Sequence, residues 1–250
     1  MDGSGFSSDL FWIIADAHLS AGDGTAASKF EGFLDLFEKD GPRRLMVLGD
    51  LFSSWIAMNN ALSDYEKGVL LRFYKLKNRG KEVVFITGNR DYYVEELTSE
   101  PFVFTGEAFR EKLPSGRTVQ FEHGDTINLD DRNYLAWRGV SRSGAVRALM
   151  GVLPAGVVKK VRSGLEEKLA ETNPNYRIDL PVEHLGKYAA ALREEGVDIL
   201  VLGHFHREQR LALGGVDVRI LPRFAPKGEF CRITANEEIL IQNLEIASNE

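Results

Sequence analysis

Short apolar runs recur along the chain, and each stops at Gly, Asp or His. Residues 11–14 lead to Asp16, 45–48 to Gly49-Asp50, 83–86 to Gly88-Asn89, 119–121 to His123-Gly124-Asp125, and 199–202 to Gly203-His204. Short runs without polar alternation, rich in β-branched and aromatic side chains, predict strands buried on both faces. Between them, apolar residues spaced by three and four predict helices over 26–39, 61–79 and 182–195. Strand and helix alternate, so the class is α/β. The tail reads differently. Residues 209–213, 216–221, 230–234 and 239–244 are short strand candidates joined by tight turns such as Gly214-Gly215, which predicts an antiparallel addition.

One stretch breaks the alternation. From 130 to 178 the pattern is helical, with Gly and Pro interruptions, and predicts a helical cap inserted into a single domain spanning 1–250. Nine basic residues face five acidic ones over 130–177, a local +4 within a chain of net charge −6. The cap also holds the longest apolar run, 148–158, and Val157, Val158, Val161 and Leu165 continue it as a helical stripe. Cations beside an apolar stripe suit an amphiphilic, anionic ligand.

With 44% hydrophobic and 27% charged residues over 250 positions, the chain has globular composition and length enough for a sizeable core. The negative balance argues against a broad nucleic-acid-binding surface. No run reaches the roughly 18–20 apolar residues of a membrane span. The start lacks a basic n-region, and Cys231 is a lone cysteine. The expectation is a cytoplasmic protein whose cap touches the inner leaflet of a membrane peripherally. Cys231 and His184 read as structural or surface residues.

Four of the five histidines stand at predicted strand ends beside Asp, Gly or another His. Asp16-Ala17-His18 and His204-Phe205-His206 each place two donors at i and i+2, which an extended chain points to one side. Asp50 adds a carboxylate able to bridge two cations, Asn89 a neutral amide oxygen, and His123 an imidazole. Ligands bind at the carboxyl ends of strands in open α/β sheets. A donor set of carboxylate, amide and imidazole without thiolate suits Mn²⁺, Fe²⁺ or Zn²⁺ in a catalytic site. Seven donors are too many for one ion and suit a pair. Two metals roughly 3.5–4 Å apart hold a hydroxide nucleophile and clamp a phosphoryl group for in-line attack.

The blocks D-x-H, G-D, G-N-R-D, H-G-D and G-H-x-H, in this order, resemble the calcineurin-like metallophosphoesterases. That resemblance implies a sandwich of two mixed β-sheets flanked by helices, with two divalent metals at one edge and Mn²⁺ the expected ion. Carried over, Asp16, His18, Asp50 and His206 bind one metal, and Asp50, Asn89, His123 and His204 the other. More narrowly, 49–56, 88–92, 123–126 and 130–134 look like the UDP-2,3-diacylglucosamine diphosphatases of lipid A biosynthesis. Those enzymes also carry a basic helical insertion after H-G-D-T. Within these blocks Asn89, Arg90 and Asp125 are the catalytic candidates, and Arg90, Asp131 and Tyr134 the substrate contacts. The implied reaction splits the nucleotide-sugar pyrophosphate into UMP and 2,3-diacylglucosamine 1-phosphate. The alternative is a soluble phosphodiesterase or nucleotide pyrophosphatase of the same fold acting on another substrate.

Arg90 bears on the leaving group. Many two-metal phosphoesterases have a His after the Asn, where it acts as a general acid. Arginine stays protonated and shuttles no proton at neutral pH, but it pairs with phosphate oxygens. A phosphate leaving group, with its second pKa near ~6, departs without prior protonation. Arg90 therefore favours a phosphoanhydride over an alkyl phosphate ester. The competing reading is that Arg90 only pairs with Asp91 or another loop acid.

Overall fold

The computed structural model describes residues 8–58, 61–97, 101–171 and 180–244, the side chains of 166–171 excepted. Thirteen strands are described: β1 (Phe11–Ile14), β2 (Arg44–Leu48), β3 (Trp55–Ile56), β4 (Glu82–Ile86), β5 (Asp91–Tyr92), β6 (Phe104–Gly106), β7 (Ala108–Lys112), β8 (Thr118–Glu122), β9 (Ile199–Leu202), β10 (Gln209–Leu213), β11 (Val216–Ile220), β12 (Glu229–Ile233) and β13 (Ile239–Asn243). The helices are α1 (Gly24–Asp40), α2 (Asp64–Asn78), α3 (Arg132–Ser141), α4 (Gly144–Val152), α5 (Ala155–Glu171) and α6 (Val182–Glu194).

Two mixed sheets form the sandwich. One runs β13-β12-β1-β2-β4-β6 and the other β10-β11-β9-β8-β7, while β3 and β5 make a small parallel ribbon. The central pairs β1–β2, β2–β4 and β8–β9 are parallel. The apolar runs have no polar alternation because both faces of these strands are covered. Trp12, Val47 and Phe85 face outward into a core with Phe30, Phe33 and Phe73 of α1 and α2. Ile13, Met46, Leu48 and Val84 face inward against Phe121, Ile199 and Val201 of the second sheet. That sheet's other face packs Leu200, Leu202 and Val218 against Leu185, Ala189 and Leu192 of α6.

Several expectations change. The tail strands are split between the sheets: β10 and β11 extend the second, β12 and β13 the first. Nor are they wholly antiparallel, since β11 pairs parallel with β9. Strands β3, β5, β6 and β7 lack the apolar-run signature; two span only two residues, and β6 and β7 lie at sheet edges. Cys231 is buried between the sheets, and His184 lies part-exposed, 3.9 Å from Asp130.

The stretch 130–171 is helical, as α3, α4 and α5, and the remainder of the expected cap lies outside the described residues. Its stripe divides. Val158 is 0% exposed and packs with Met58, Tyr92, Tyr93 and Met150, and Leu165 leans on the same cluster. Val157 is 41% and Val161 39% exposed. On a helix, i and i+4 share a face while i and i+1 do not, so Val157 with Val161 forms an outer row and Val158 an inner one.

Candidate metal centre

The ends of β1, β2, β4, β8 and β9 converge at one sandwich edge, bringing Asp16, His18, Asp50, Asn89, His123, His204 and His206 together. The backbone there departs from expectation. The two i, i+2 pairs are not extended: Asp16 (φ 54°), His18 (46°), Asp50 (51°), His204 (65°) and His206 (53°) all adopt left-handed conformations. Such residues cost roughly 1–3 kcal/mol each and persist only where surroundings over-determine them. Here the loops brace one another. Asp16 N donates to Gly49 O (3.2 Å), His18 N to Asp50 O (2.9 Å) and Leu19 N to Leu51 O (2.8 Å). His204 N donates to Asp16 Oδ2 (2.8 Å). A Cβ on Gly88 would collide with Asp50 Oδ1, and one on Gly49 would lie 2.7 Å from His123 Nδ1. Glycine is therefore required at both points.

Two clusters share Asp16. In the first, His206 Nε2 lies 3.0 Å from Asp16 Oδ1 and 3.2 Å from His18 Nε2. The second joins Asp16, Asp50 and His123. The His123 Nδ1 lies 2.7 Å from Leu48 O, an acceptor, so Nδ1 carries the hydrogen. Its Nε2 then faces Asn89 Oδ1 at 3.1 Å and Asp50 Oδ1 at 3.7 Å. The His204 ring stands edge-on to His123 with centroids 5.1 Å apart.

The electrostatics call for a cation. Burial pushes the Asp50 carboxyl up, and Asp16 adds to this against the pull of His123 and Arg90. Burial would raise Asp16 too, but the His206 hydrogen bond and three imidazoles hold it well below the usual carboxylate range. Burial opposes protonation of His123, yet Asp50, Asp16 and Asp125 outweigh it and push the imidazole up to about 9. The acidic surroundings that hold a proton on His123 are the same ones that would hold a cation: its Nε2, the Asn89 amide oxygen and the Asp50 carboxylate converge. Asp50 Oδ2, buried and without a hydrogen bond, is an open donor to such a cation. These residues fit divalent metal ions.

Arg90 does not pair with Asp91. Its Nε is 3.4 Å from Asp50 Oδ2, its Nη1 donates to Ser53 O (2.8 Å), and its backbone N donates to Asp50 Oδ1 (2.8 Å). Asp91 is engaged elsewhere: its Oδ2 accepts from Asp50 N (2.7 Å) and Gly88 N (2.8 Å), locking the two donor loops together. That loop-locking role had one signal in sequence, the position of Asp91 within the G-N-R-D block.

The remaining candidates tie the cap to the site. Asp125 accepts from the Tyr134 hydroxyl and from Arg138 Nε (2.9 Å). Burial alone would raise its carboxyl, but His123, Arg138 and His204 hold it below its ordinary range. Asp131 caps α3, its Oδ1 accepting from Tyr134 N at 3.0 Å. Arg142 carries no mark in sequence that separates it from the cap's many other basic residues. Its Nη2 donates to Gly88 O (2.5 Å) and Asp91 O (3.0 Å), anchoring α3 directly on the Asn89 loop.

This arrangement defines a class. The model of the Calcineurin-like phosphoesterase family matches residues 10–208, and the chain belongs to that family. It is a metal-dependent hydrolase of phosphoesters or phosphoanhydrides. A UDP-2,3-diacylglucosamine hydrolase of Chromohalobacter salexigens is 30% identical to it over 202 residues, 78% of this chain and 79% of that protein. A protein of the same name from Escherichia coli O81 (strain ED1a) is 26% identical over 240 residues, 92% of this chain and 97% of the relative. A solved structure of an archaeal phosphodiesterase aligns with a TM-score of 0.49 and 11% identity, covering 94% of this chain and 99% of its own. Among the described residues, no helix is long and apolar enough to cross a membrane.

Proposed function

We propose that the protein hydrolyses the pyrophosphate of UDP-2,3-diacylglucosamine, releasing UMP and 2,3-diacylglucosamine 1-phosphate. The observation that supports this reading is a cluster of Asp16, His18, Asp50, His123 and His206 beside a helical segment that is anchored on the Asn89 loop and exposes both apolar and basic residues. The names of the relatives support the substrate. Asp16, His18, Asp50 and His206 hold one divalent ion and Asp50, Asn89, His123 and His204 the other, with Mn²⁺ the ion of choice. Bound there, the two ions supply Lewis acidity to the phosphoryl group and lower the pKa of a water. Arg90 stabilises negative charge on the phosphoryl oxygens, since its Nη2 makes no hydrogen bond among the described residues. Asp125, ionised and held by Arg138 and Tyr134, anchors the cap beside His123, and its charge favours a cation there; Asp131 supports Tyr134 through α3. The deciding assay incubates purified protein with UDP-2,3-diacylglucosamine and Mn²⁺ and scores UMP. Chelation with EDTA should abolish UMP release, and elemental analysis of the active protein should find two metals per chain. Equal turnover of an acyl-free UDP-sugar would overturn the lipid substrate.

The outer row of the cap is read as the acyl-binding and membrane-facing surface. Leu149, Val152, Val157 and Val161 are exposed there on α4 and α5, in a segment that also carries Lys159 and Lys160. Basic residues near an anionic leaflet favour peripheral contact. The divided stripe makes this testable. Val157→Asp should lower kcat/KM for the acylated substrate about tenfold relative to that for a small phosphodiester, with an unchanged melting temperature, because a carboxylate resists desolvation by an acyl chain. Val158→Asp places the same charge in the closed inner row and should destabilise the fold by on the order of 3 kcal/mol or more. Equal loss on both substrates in Val157→Asp would remove the outer row from substrate binding.

A further inference from the structure

A pocket of about 340 Å³ is lined by segments that leave the candidate metal centre. One side is the 19–22 loop that follows His18, another the 52–54 segment that follows Asp50. The start of α2 supplies Ser63, Tyr65 and Glu66, and α5 of the cap supplies Arg162. The coupling to the centre is direct: Ser53 Oγ donates to His18 O (2.9 Å), and Ser53 O accepts from Arg90.

The lining chemistry is specific. Arg162 Nη1 lies 2.7 and 2.9 Å from the two Glu66 oxygens, so the pair adds no net charge. Glu66 Oε2 also accepts from Ser63 N (2.6 Å) and Ser63 Oγ (2.8 Å), which closes it to further donors. The Nε and Nη2 of Arg162 make no hydrogen bond among the described residues and remain as donors. Ser54 is 5% exposed, and its hydroxyl has no hydrogen-bond partner among the described residues. Tyr65 packs edge-on to Phe52 and presents both a ring and a phenol. Burial, with the charges of Glu31 and Asp23, pushes that phenol up, so it stays a donor. The volume lies at the lower end for small-molecule sites. The polar lining is unsuited to acyl chains, and the neutralised arginine does not select a further anion. What fits is a neutral group rich in carbonyls and hydroxyls that offers a flat face.

We propose that this pocket receives the nucleoside of the substrate, with Ser54, Tyr65 and Arg162 contacting the ribose hydroxyls and the base. The inference rests on reading the substrate as a uridine nucleotide. Helix α5 then serves twice, since the inner face that carries Arg162 selects the nucleotide while the outer row faces the lipid.

The test uses the full chain loaded with Mn²⁺. UMP, ribose 5-phosphate and inorganic phosphate are compared as inhibitors of hydrolysis of bis(p-nitrophenyl) phosphate, and as ligands that raise the melting temperature. In the wild type, UMP should inhibit more tightly than ribose 5-phosphate, and that more tightly than phosphate. Ser54→Ala and Tyr65→Phe should each reduce the preference for UMP over phosphate about five- to tenfold, the scale of one lost hydrogen bond. Ligand-free Ser54→Ala should melt no lower than the wild type, because it deletes a buried hydroxyl that had no partner; a serine that only supported the fold would cost stability. If UMP inhibits tightly but both variants keep the wild-type preference, the pocket assignment falls and the substrate reading stands. If UMP binds no better than phosphate in the wild type, both fall together.

Discussion

Asp50→Ala is expected to yield a folded protein with no measurable turnover. Its activity should fall by more than the ~10²–10³-fold that loss of one electrostatic stabiliser costs, because Asp50 is assigned to both ions. The fold should persist for reasons visible around the residue. The backbone N of Asp50 is held by Asp91 Oδ2 at 2.7 Å, a bond that the alanine variant keeps. The carboxylate is 1% exposed, and burial pushes its pKa up, so in the metal-free protein its charge opposes folding. Neutralising it without changing its shape, as in Asp50→Asn, should leave the metal-free melting temperature level or raised, whereas Asp50→Ala also strips Arg90 N of its acceptor and should melt somewhat lower. Asp50→Asn is the better control for backbone strain, since Asn tolerates the left-handed φ of 51° at this position as Asp does. Metals that bind only the native state stabilise it by mass action. The rise in melting temperature on adding Mn²⁺ should therefore shrink in both variants. Turnover like the wild type in Asp50→Ala would sink the assignment of Asp50 as a shared ligand.

The contrast between the donors and their backbone shows what a sequence carries. The apolar runs before Asp16, Asp50, Asn89, His123 and His204 were legible because those strands are covered on both faces. The donor types were legible because metals demand particular side chains. The left-handed conformations of Asp16, His18, Asp50, His204 and His206 were not. Local preference does not impose them; the ladder between neighbouring loops and the close approach of Gly49 and Gly88 do, and those are contacts between distant segments. Strand β7 was missed for the opposite reason. Its residues alternate exposed and half-buried at a sheet edge, so it has no apolar run. The cap stripe failed on phase. Val157 and Val158 are adjacent in sequence but point about 100° apart around the helix, and Arg162, four residues after Val158, shares its side and meets Glu66 there. A half-buried ion pair on the inner side of a helix defeats any reading that equates inward with apolar.

Arg90→Ala should lower kcat about 10²–10³-fold while the protein retains its metals. The structure explains why those two effects separate. The Asp50 carboxylate is positioned by the backbone N of residue 90, 2.8 Å from Oδ1, and alanine keeps that donor. What is lost is the guanidinium, which lies 3.4 Å from Asp50 Oδ2 and rests on Ser53 O. With Nη1 occupied and Nη2 not hydrogen-bonded among the described residues, the fork is placed to meet a phosphate oxygen. Arg90→Lys keeps the charge without the fork and should fall between the wild type and Arg90→Ala. The two arginine variants should differ from the wild type mainly in kcat if the group acts on charge that develops in the transition state, and mainly in KM if it only binds the ground state. The leaving group supplies the second arm. Arginine donates no proton, so the wild-type enzyme should cleave a phosphoanhydride far faster than an unactivated alkyl phosphodiester, whose alkoxide leaves poorly without a general acid. Elemental analysis decides the outcome that would reverse the argument: if Arg90→Ala loses its metals, the residue supports Asp50, and the leaving-group preference must arise elsewhere.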